Sequence, residues 1–168
     1  MLIQKIGNYE NFDILKKQVL DLVASIDLSI ISLQYRDINE QHWDNATGWH
    51  HGPVEQEFTN IMPSLQGTEI DVMIKSLPYT LVRTRIMVVK PGKKYTVHYD
   101  NTPRIHIPIV SNEECRFIFY APNKIIGEYM QPDGSIYWVD TRKYHTFYNK
   151  SQSDRIHIVA LTNYELSR

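Results

Sequence analysis

Between residues 10 and 26 the apolar side chains Phe12, Leu15, Val19, Leu22, Val23 and Ile26 recur every three or four positions, with Lys16, Lys17 and Asp21 among them. That period predicts an amphipathic helix with one face available for a core. The pattern lapses over 35–59, where the run QHWDNATGWHHGP is rich in His, Trp, Asn and Gly, and a long loop is expected. A shorter helix is predicted over 68–76, after Gly67, with Ile70, Val72 and Met73 as apolar positions. From Tyr79 the character changes to short runs rich in Val, Ile, Tyr and Phe, separated by turn clusters such as Pro91-Gly92, Pro122-Asn123 and Pro132-Asp133-Gly134. Strands are predicted near 81–90, 95–99, 104–110, 115–120, 126–130, 135–139, 145–148 and 155–162.

With no helix-length segment among them, these runs suit a double-stranded β-helix, the jelly roll of cupin-like proteins, better than an open α/β sheet. The fold class expected is mainly β with N-terminal helices: one domain over 1–168, its 1–78 part a helical and loop-rich support for a catalytic core at 79–168. A chain of 168 residues, 42% hydrophobic, is long enough to bury a core without disulfides. Lys and Arg total 18 against 19 Asp and Glu, so the sequence has no electrostatic footprint for a nucleic acid or an anionic membrane, and neither is an expected partner. Cys115 stands alone, which excludes an internal disulfide and suits a reducing compartment; a core thiol in the cytoplasm is expected. No run approaches the roughly twenty apolar residues that span a bilayer, and the N-terminal stretch lacks the apolar segment of an export signal.

Chemistry enters at Tyr95-Thr96-Val97-His98-Tyr99-Asp100. Side chains alternate along a strand, so His98 and Asp100 project from one face and offer an imidazole nitrogen and a carboxylate oxygen together. Joined by a second imidazole, they would make the facial triad of non-heme iron(II) oxygenases. His145 is the candidate, at the head of a predicted strand, and Arg155 follows ten residues later beyond a short polar turn. A guanidinium placed deep beside a metal can pair bidentately with a carboxylate, because its planar fork stays charged in a desolvated pocket.

The sequence from Val88-Val89-Lys90-Pro91-Gly92 through His98-x-Asp100, Arg104-Ile105-His106-Ile107-Pro108-Ile109, Trp138-Val139-Asp140, His145, Asn149 and Arg155-Ile156-His157-Ile158 resembles the aspartyl/asparaginyl β-hydroxylase family over about half the chain. The resemblance implies a double-stranded β-helix using Fe(II), O2 and 2-oxoglutarate, with iron at His98, Asp100 and His145. It also implies that Arg155 takes the distal carboxylate of 2-oxoglutarate, while Arg104 and His106 contact the metal-bound carboxylate. The human-type namesakes lack the acidic ligand that Asp100 supplies here. The chain therefore resembles the triad-complete branch, which includes amino-acid hydroxylases such as the cis-proline hydroxylases.

Other polar positions carry less specific expectations. Arg83 and Arg85, two apart on a predicted strand, would offer cationic contacts to an acidic small-molecule or peptide substrate, or lie on an exposed edge. Asn149 fits either an outer hydrogen bond of the metal site or local turn chemistry. Asp140 suits the turn before Thr141-Arg142-Lys143, Trp138 a core and His157 either a pocket wall or a satisfied core ring. His42, Trp43, Trp49, His50 and His51 make the loop a candidate lid. A cupin-like metal-binding isomerase or a non-catalytic sensor or binding protein would also use this fold, but neither needs Arg155.

Overall fold

The computed structural model describes residues 1–48 and 52–166. Its elements run β1 (Ile3–Asn8), α1 (Phe12–Ser25), β2 (Ile30–Ser32), β3 (Gln34–Tyr35), β4 (Asn60–Ile61), α2 (Glu69–Ser76), β5 (Val82–Val89), β6 (Arg104–Val110), β7 (Cys115–Ala121), β8 (Lys124–Glu128), β9 (Ser135–Val139), β10 (His145–Asn149) and β11 (Arg155–Leu161). Short 3-10 segments lie at Ile38–Glu40, Gly52–Glu57 and Pro63–Leu65.

An antiparallel six-stranded sheet in the order β1-β9-β6-β11-β5-β2 faces a smaller one in the order β10-β7-β8. The connections pass repeatedly from one sheet to the other, so β5 to β11 form the double-stranded β-helix expected from the strand pattern. Residues 92–98 run beside β10 as an irregular fourth strand of the smaller sheet, bridged at Lys94–Tyr148 and His98–His145. The segment expected as a regular strand at 95–99 is therefore a bridged rim.

Both faces of the large sheet are buried, by different chemistry. Ile86 and Val88 of β5, Ile105, Ile107 and Ile109 of β6, and Ile156, Ile158 and Ala160 of β11 form one aliphatic surface. Leu15 and Val19 of α1 and Ile70, Met73 and Ile74 of α2 close over it. The alternate residues face the smaller sheet, where Met87, Val89 and Val159 meet Phe117, Phe119 and Phe147. Arg83, Arg85, Arg104, His106, Arg155 and His157 belong to this second set by the period of two. Pro108 is tolerated within β6 because its partner strand shifts register between Ile156 and His157.

The helix boundaries follow local chemistry. Thr68 caps α2, its hydroxyl accepting from the Asp71 amide, while the Asp71 carboxylate accepts from the Gly67 amide at 2.9 Å. Gly134 adopts φ +87° where β9 begins, and a side chain there would press on the Tyr9 carbonyl and Phe12. Only glycine fits this junction between α1 and the sheet. Strand β1 was not expected, since a register shift between Lys5 and Gly7 breaks its alternation, and β2 spans just three residues. These two strands form opposite edges of the large sheet, so residues before 79 contribute sheet as well as support. No helix among the described residues is long and apolar enough to cross a membrane.

Asn149 clamps the crossing from β10 to β11. Its Nδ2 donates to the carbonyls of Val89 at 2.8 Å and Ser153 at 2.7 Å, and its Oδ1 accepts from the Ser151 amide and hydroxyl. This is turn chemistry. Asn149→Ala strands several buried polar groups, so a loss of about 2–4 kcal/mol is expected in urea denaturation, with metal stoichiometry retained.

Candidate metal centre

The rim segment is laid against β10 by main-chain bonds. Gly92 N donates to Asn149 O at 2.8 Å, Tyr95 N to Phe147 O at 2.9 Å, and His98 N to His145 O at 3.0 Å. His145 N returns a bond to His98 O at 2.8 Å, and the two imidazoles stand with ring centroids 4.3 Å apart. Two residues on, Asp100 N donates to Thr141 O at 2.8 Å. One ligand atom from each of His98, Asp100 and His145 lies within 4.8 Å of the others, a spacing compatible with one shared ion.

Hydrogen bonds set the orientation of both rings. His98 Nδ1 lies 2.8 Å from the Thr96 carbonyl and His145 Nδ1 lies 2.8 Å from the Lys143 carbonyl. A carbonyl only accepts, so both Nδ1 atoms carry hydrogen and leave the Nε2 lone pairs for a metal. Burial pushes the His145 imidazole below its ordinary pKa, which favours the neutral, ligating form. Burial alone would raise Asp100. The charge and hydrogen bond of Arg104, 3.1 Å from Oδ1, together with the two histidines outweigh it and hold the carboxyl below its ordinary range. Two imidazole nitrogens and an ionised carboxylate fit a divalent transition metal.

A cavity of about 440 Å³ opens beside these residues, within the range of roughly 300–1,000 Å³ typical of small-molecule sites. Met87, Phe117, Phe147 and Val159 form its apolar wall; Arg85, Arg104 and His106 supply polar groups; Val97, Tyr99 and Tyr144 stand at an exposed rim. His106 is 3% exposed and its Nδ1 has no partner among the described residues. Arg155 is not in the wall. It lies one layer deeper, only 2% exposed, with its guanidinium over the Phe147 ring at 4.8 Å and Nη2 3.2 Å from His157 Nδ1. No ion pair among the described residues involves it, and burial lowers its pKa to about 10.

The loop expected over 35–59 contributes a residue that no motif announced. Glu55, in the Gly52–Glu57 segment, forms a buried ion pair with Arg83 and a second with Arg104 at 3.3 Å. Arg83 sits at a register shift between β5 and β11 with φ 51°, its amide bonded to Phe58 O at 2.8 Å and Nη2 to the carbonyls of Ala46 and Gly48. This bulge turns Arg83 out of the ladder and ties the loop to the cavity mouth. A carboxylate inside an otherwise structureless polar run has no periodicity to mark it, so only its partners reveal its position.

The remaining candidates divide by location. Arg83 and Arg85 both line the cavity on an interior strand rather than an exposed edge. His157 packs edge-on against His106 with ring centroids 5.8 Å apart. Asp140 accepts from Arg142 Nε at 2.6 Å in the turn before β10, and buried Trp138 donates to Tyr164 O at 2.9 Å on the helix-covered face; neither touches the metal ligands. His42 is exposed and Trp43 packs partly on the main core, while Trp49, His50 and His51 lie outside the described residues.

No protein-family model and no curated protein matches the chain. Solved structures of similar shape include a cupin domain from Bordetella pertussis Tohama I, at TM-score 0.41 and 12% identity over 49% of this chain and 81% of that one. The capsular polysaccharide assembling protein CapF of Staphylococcus aureus matches at TM-score 0.39 and 19% identity, over 51% of this chain and 25% of its own length. Oxalate decarboxylase from Bacillus subtilis, described with Mn(II) centres, matches at TM-score 0.38 and 15% identity over 50% and 22%. The fold assignment rests on the strand order above.

One divalent ion per chain is expected in anaerobic titration with iron(II) or manganese(II). His98→Ala, Asp100→Ala and His145→Ala should each remove most binding, since three ligands leave no redundancy. Stability should also depend on pH through His106 and His157, both held well below the ordinary imidazole value, first by burial and next by the charge of Arg155. Below about pH 6.5 the unfolded chain takes up protons that the folded one refuses, so stability holds above that pH and falls beneath it. The expected slope is up to about 1.4 kcal/mol per pH unit for each ring. His157→Asn should reduce the slope by one ring's share in urea melts run from pH 7.5 to 5.5.

Proposed function

We propose that the protein is an iron(II)- and 2-oxoglutarate-dependent dioxygenase that hydroxylates a C–H bond of an amino acid, free or within a peptide. The observation that carries this reading is the His98–Asp100–His145 donor set in a barrel whose interior also holds Arg155, a buried cation without a carboxylate partner among the described residues. An isolated charge buried in a protein costs several kcal/mol unless something compensates it, and a bound dicarboxylate would do so. The sequence resemblance to the aspartyl/asparaginyl β-hydroxylase family supports the same choice of co-substrate.

Iron(II) bound here would supply dioxygen activation, with 2-oxoglutarate and O2 converted to succinate and CO2 as one oxygen atom enters the substrate C–H bond. The protein's own groups hold the reactants. His98, Asp100 and His145 would hold the ion at the edge of the cavity. The unpartnered Nε of Arg104 and Nδ1 of His106 would receive the metal-proximal carboxylate. Arg155 would receive the distal one, which requires the Phe147 ring it packs over to shift, a side-chain adjustment of the kind that ligand binding commonly brings. Met87, Phe117 and Val159 exclude water from the space between, strengthening each charged contact.

The deciding measurement is 2-oxoglutarate binding to the manganese(II)-loaded protein without oxygen. Arg155→Ala should retain the metal and lose about 2–5 kcal/mol of co-substrate affinity, at least roughly thirty-fold in Kd, with Arg155→Lys restoring little. Succinate release from the iron(II) protein in air, enhanced by a substrate, completes the test. Metal binding with no affinity for 2-oxoglutarate would instead favour a cupin-like metal-binding protein of another activity.

A further inference from the structure

Three arginines line the cavity, and their surroundings differ. Arg83 has both terminal nitrogens engaged, Nη1 by Glu55 and Nη2 by the carbonyls of Ala46 and Gly48. Arg104 likewise uses Nη1 on Thr102 and Nη2 on Glu55 and Asp100. Arg85 makes a single hydrogen bond among the described residues, from Nη1 to Ala46 O at 3.2 Å; Nε lacks a partner in all three arginines, but only in Arg85 is the adjacent Nη2 also without one. The Nε–Nη2 edge of a guanidinium is one of the two that match a carboxylate with parallel hydrogen bonds. In Arg85 that edge remains whole.

Charge points the same way. Among the described residues, Arg83, Arg85, Arg104 and Arg155 share the interior with the carboxylates of Glu55 and Asp100. Two positive charges are uncompensated before a divalent ion adds two more. A 2-oxoglutarate dianion offsets half of that total, so the interior still favours a second anion. Across the mouth, Val97, Tyr99 and Tyr144 are each more than half exposed, and the rings of Tyr99 and Tyr144 meet edge-on at 5.2 Å. They offer an apolar shelf beside a cationic seat.

We infer that Arg85 is the specificity-determining residue that seats the free carboxylate of the substrate, an amino acid whose apolar body rests on Val97, Tyr99 and Tyr144, while Arg83 and Glu55 hold the loop around that seat. This assignment rests on the dioxygenase reading for its chemistry, but the seat can be tested without turnover. Calorimetric titration of the manganese(II)-loaded protein, with and without 2-oxoglutarate, compares free phenylalanine, leucine and proline with their carboxamides. At least one acid should bind about thirty-fold or more tighter than its amide. Arg85→Met should bring the pair within about three-fold, and Arg85→Lys should keep part of the preference. The variants' manganese stoichiometry and thermal unfolding report that they are folded.

Equal binding of acid and amide, a preference that persists in Arg85→Met, or no binding of any acid would each overturn the inference. So would an Arg85→Met variant that loses 2-oxoglutarate affinity while keeping the acid preference, because the edge would then belong to the co-substrate. Acid preference that depends on Arg85 in a protein blind to 2-oxoglutarate would uphold the seat and defeat the dioxygenase reading alone.

Discussion

The reciprocal main-chain pair between His98 and His145 is the contact on which the candidate centre depends. Two antiparallel hydrogen bonds bind an irregular rim segment to the first residue of β10, and the two imidazoles are brought together as a consequence of backbone pairing. Their Nδ1 atoms are each tied to a carbonyl two residues earlier, so the ligating nitrogens are oriented before any ion arrives. The approach of the two rings therefore depends on the smaller sheet, whose β10–β7 ladder carries His145 opposite Phe119.

The large sheet meets a harder demand, since its central strands β5, β6 and β11 are buried on both faces. One face solves this with aliphatic packing under α1 and α2. The other carries arginines and histidines inward, where unpaired polar groups are costly. Glu55 and Asp100 offset part of that charge, and backbone carbonyls from Ala46 and Gly48 accept further hydrogen bonds. The balance left over is positive, and it is what gives the cavity a chemical preference rather than mere volume. In this respect the loop carrying Glu55 is part of the site: without it, Arg83 would lose its carboxylate partner and Arg104 one of its two.

Much of this was legible from residue order. Alternation along 81–90, 104–110 and 155–162 marked the strands and separated the Ile-rich set from the Arg and His set, because a period of two has only two outcomes. His98 and Asp100 could be placed on one side for the same reason. Less legible were β1, whose bulge erases its alternation, and β2, too short to show any. The resemblance assigned Arg155 to the co-substrate, but could not show that the guanidinium packs over the Phe147 ring outside the cavity wall.

What the sequence determined by itself was therefore local and periodic: which residues alternate, where helices and turns fall, and which types could ligate a metal. Tertiary structure decided everything that depends on chain separation. It brought His145 to His98 across 47 positions, carried Glu55 to Arg83 and Arg104, and gave two arginines of one strand unlike surroundings, Arg83 at a bulge with both terminal nitrogens occupied and Arg85 with an edge open. Those differences arise because hydrogen-bond partners are assigned by where strands and loops meet in space, and a one-dimensional pattern holds no record of which carbonyl will arrive.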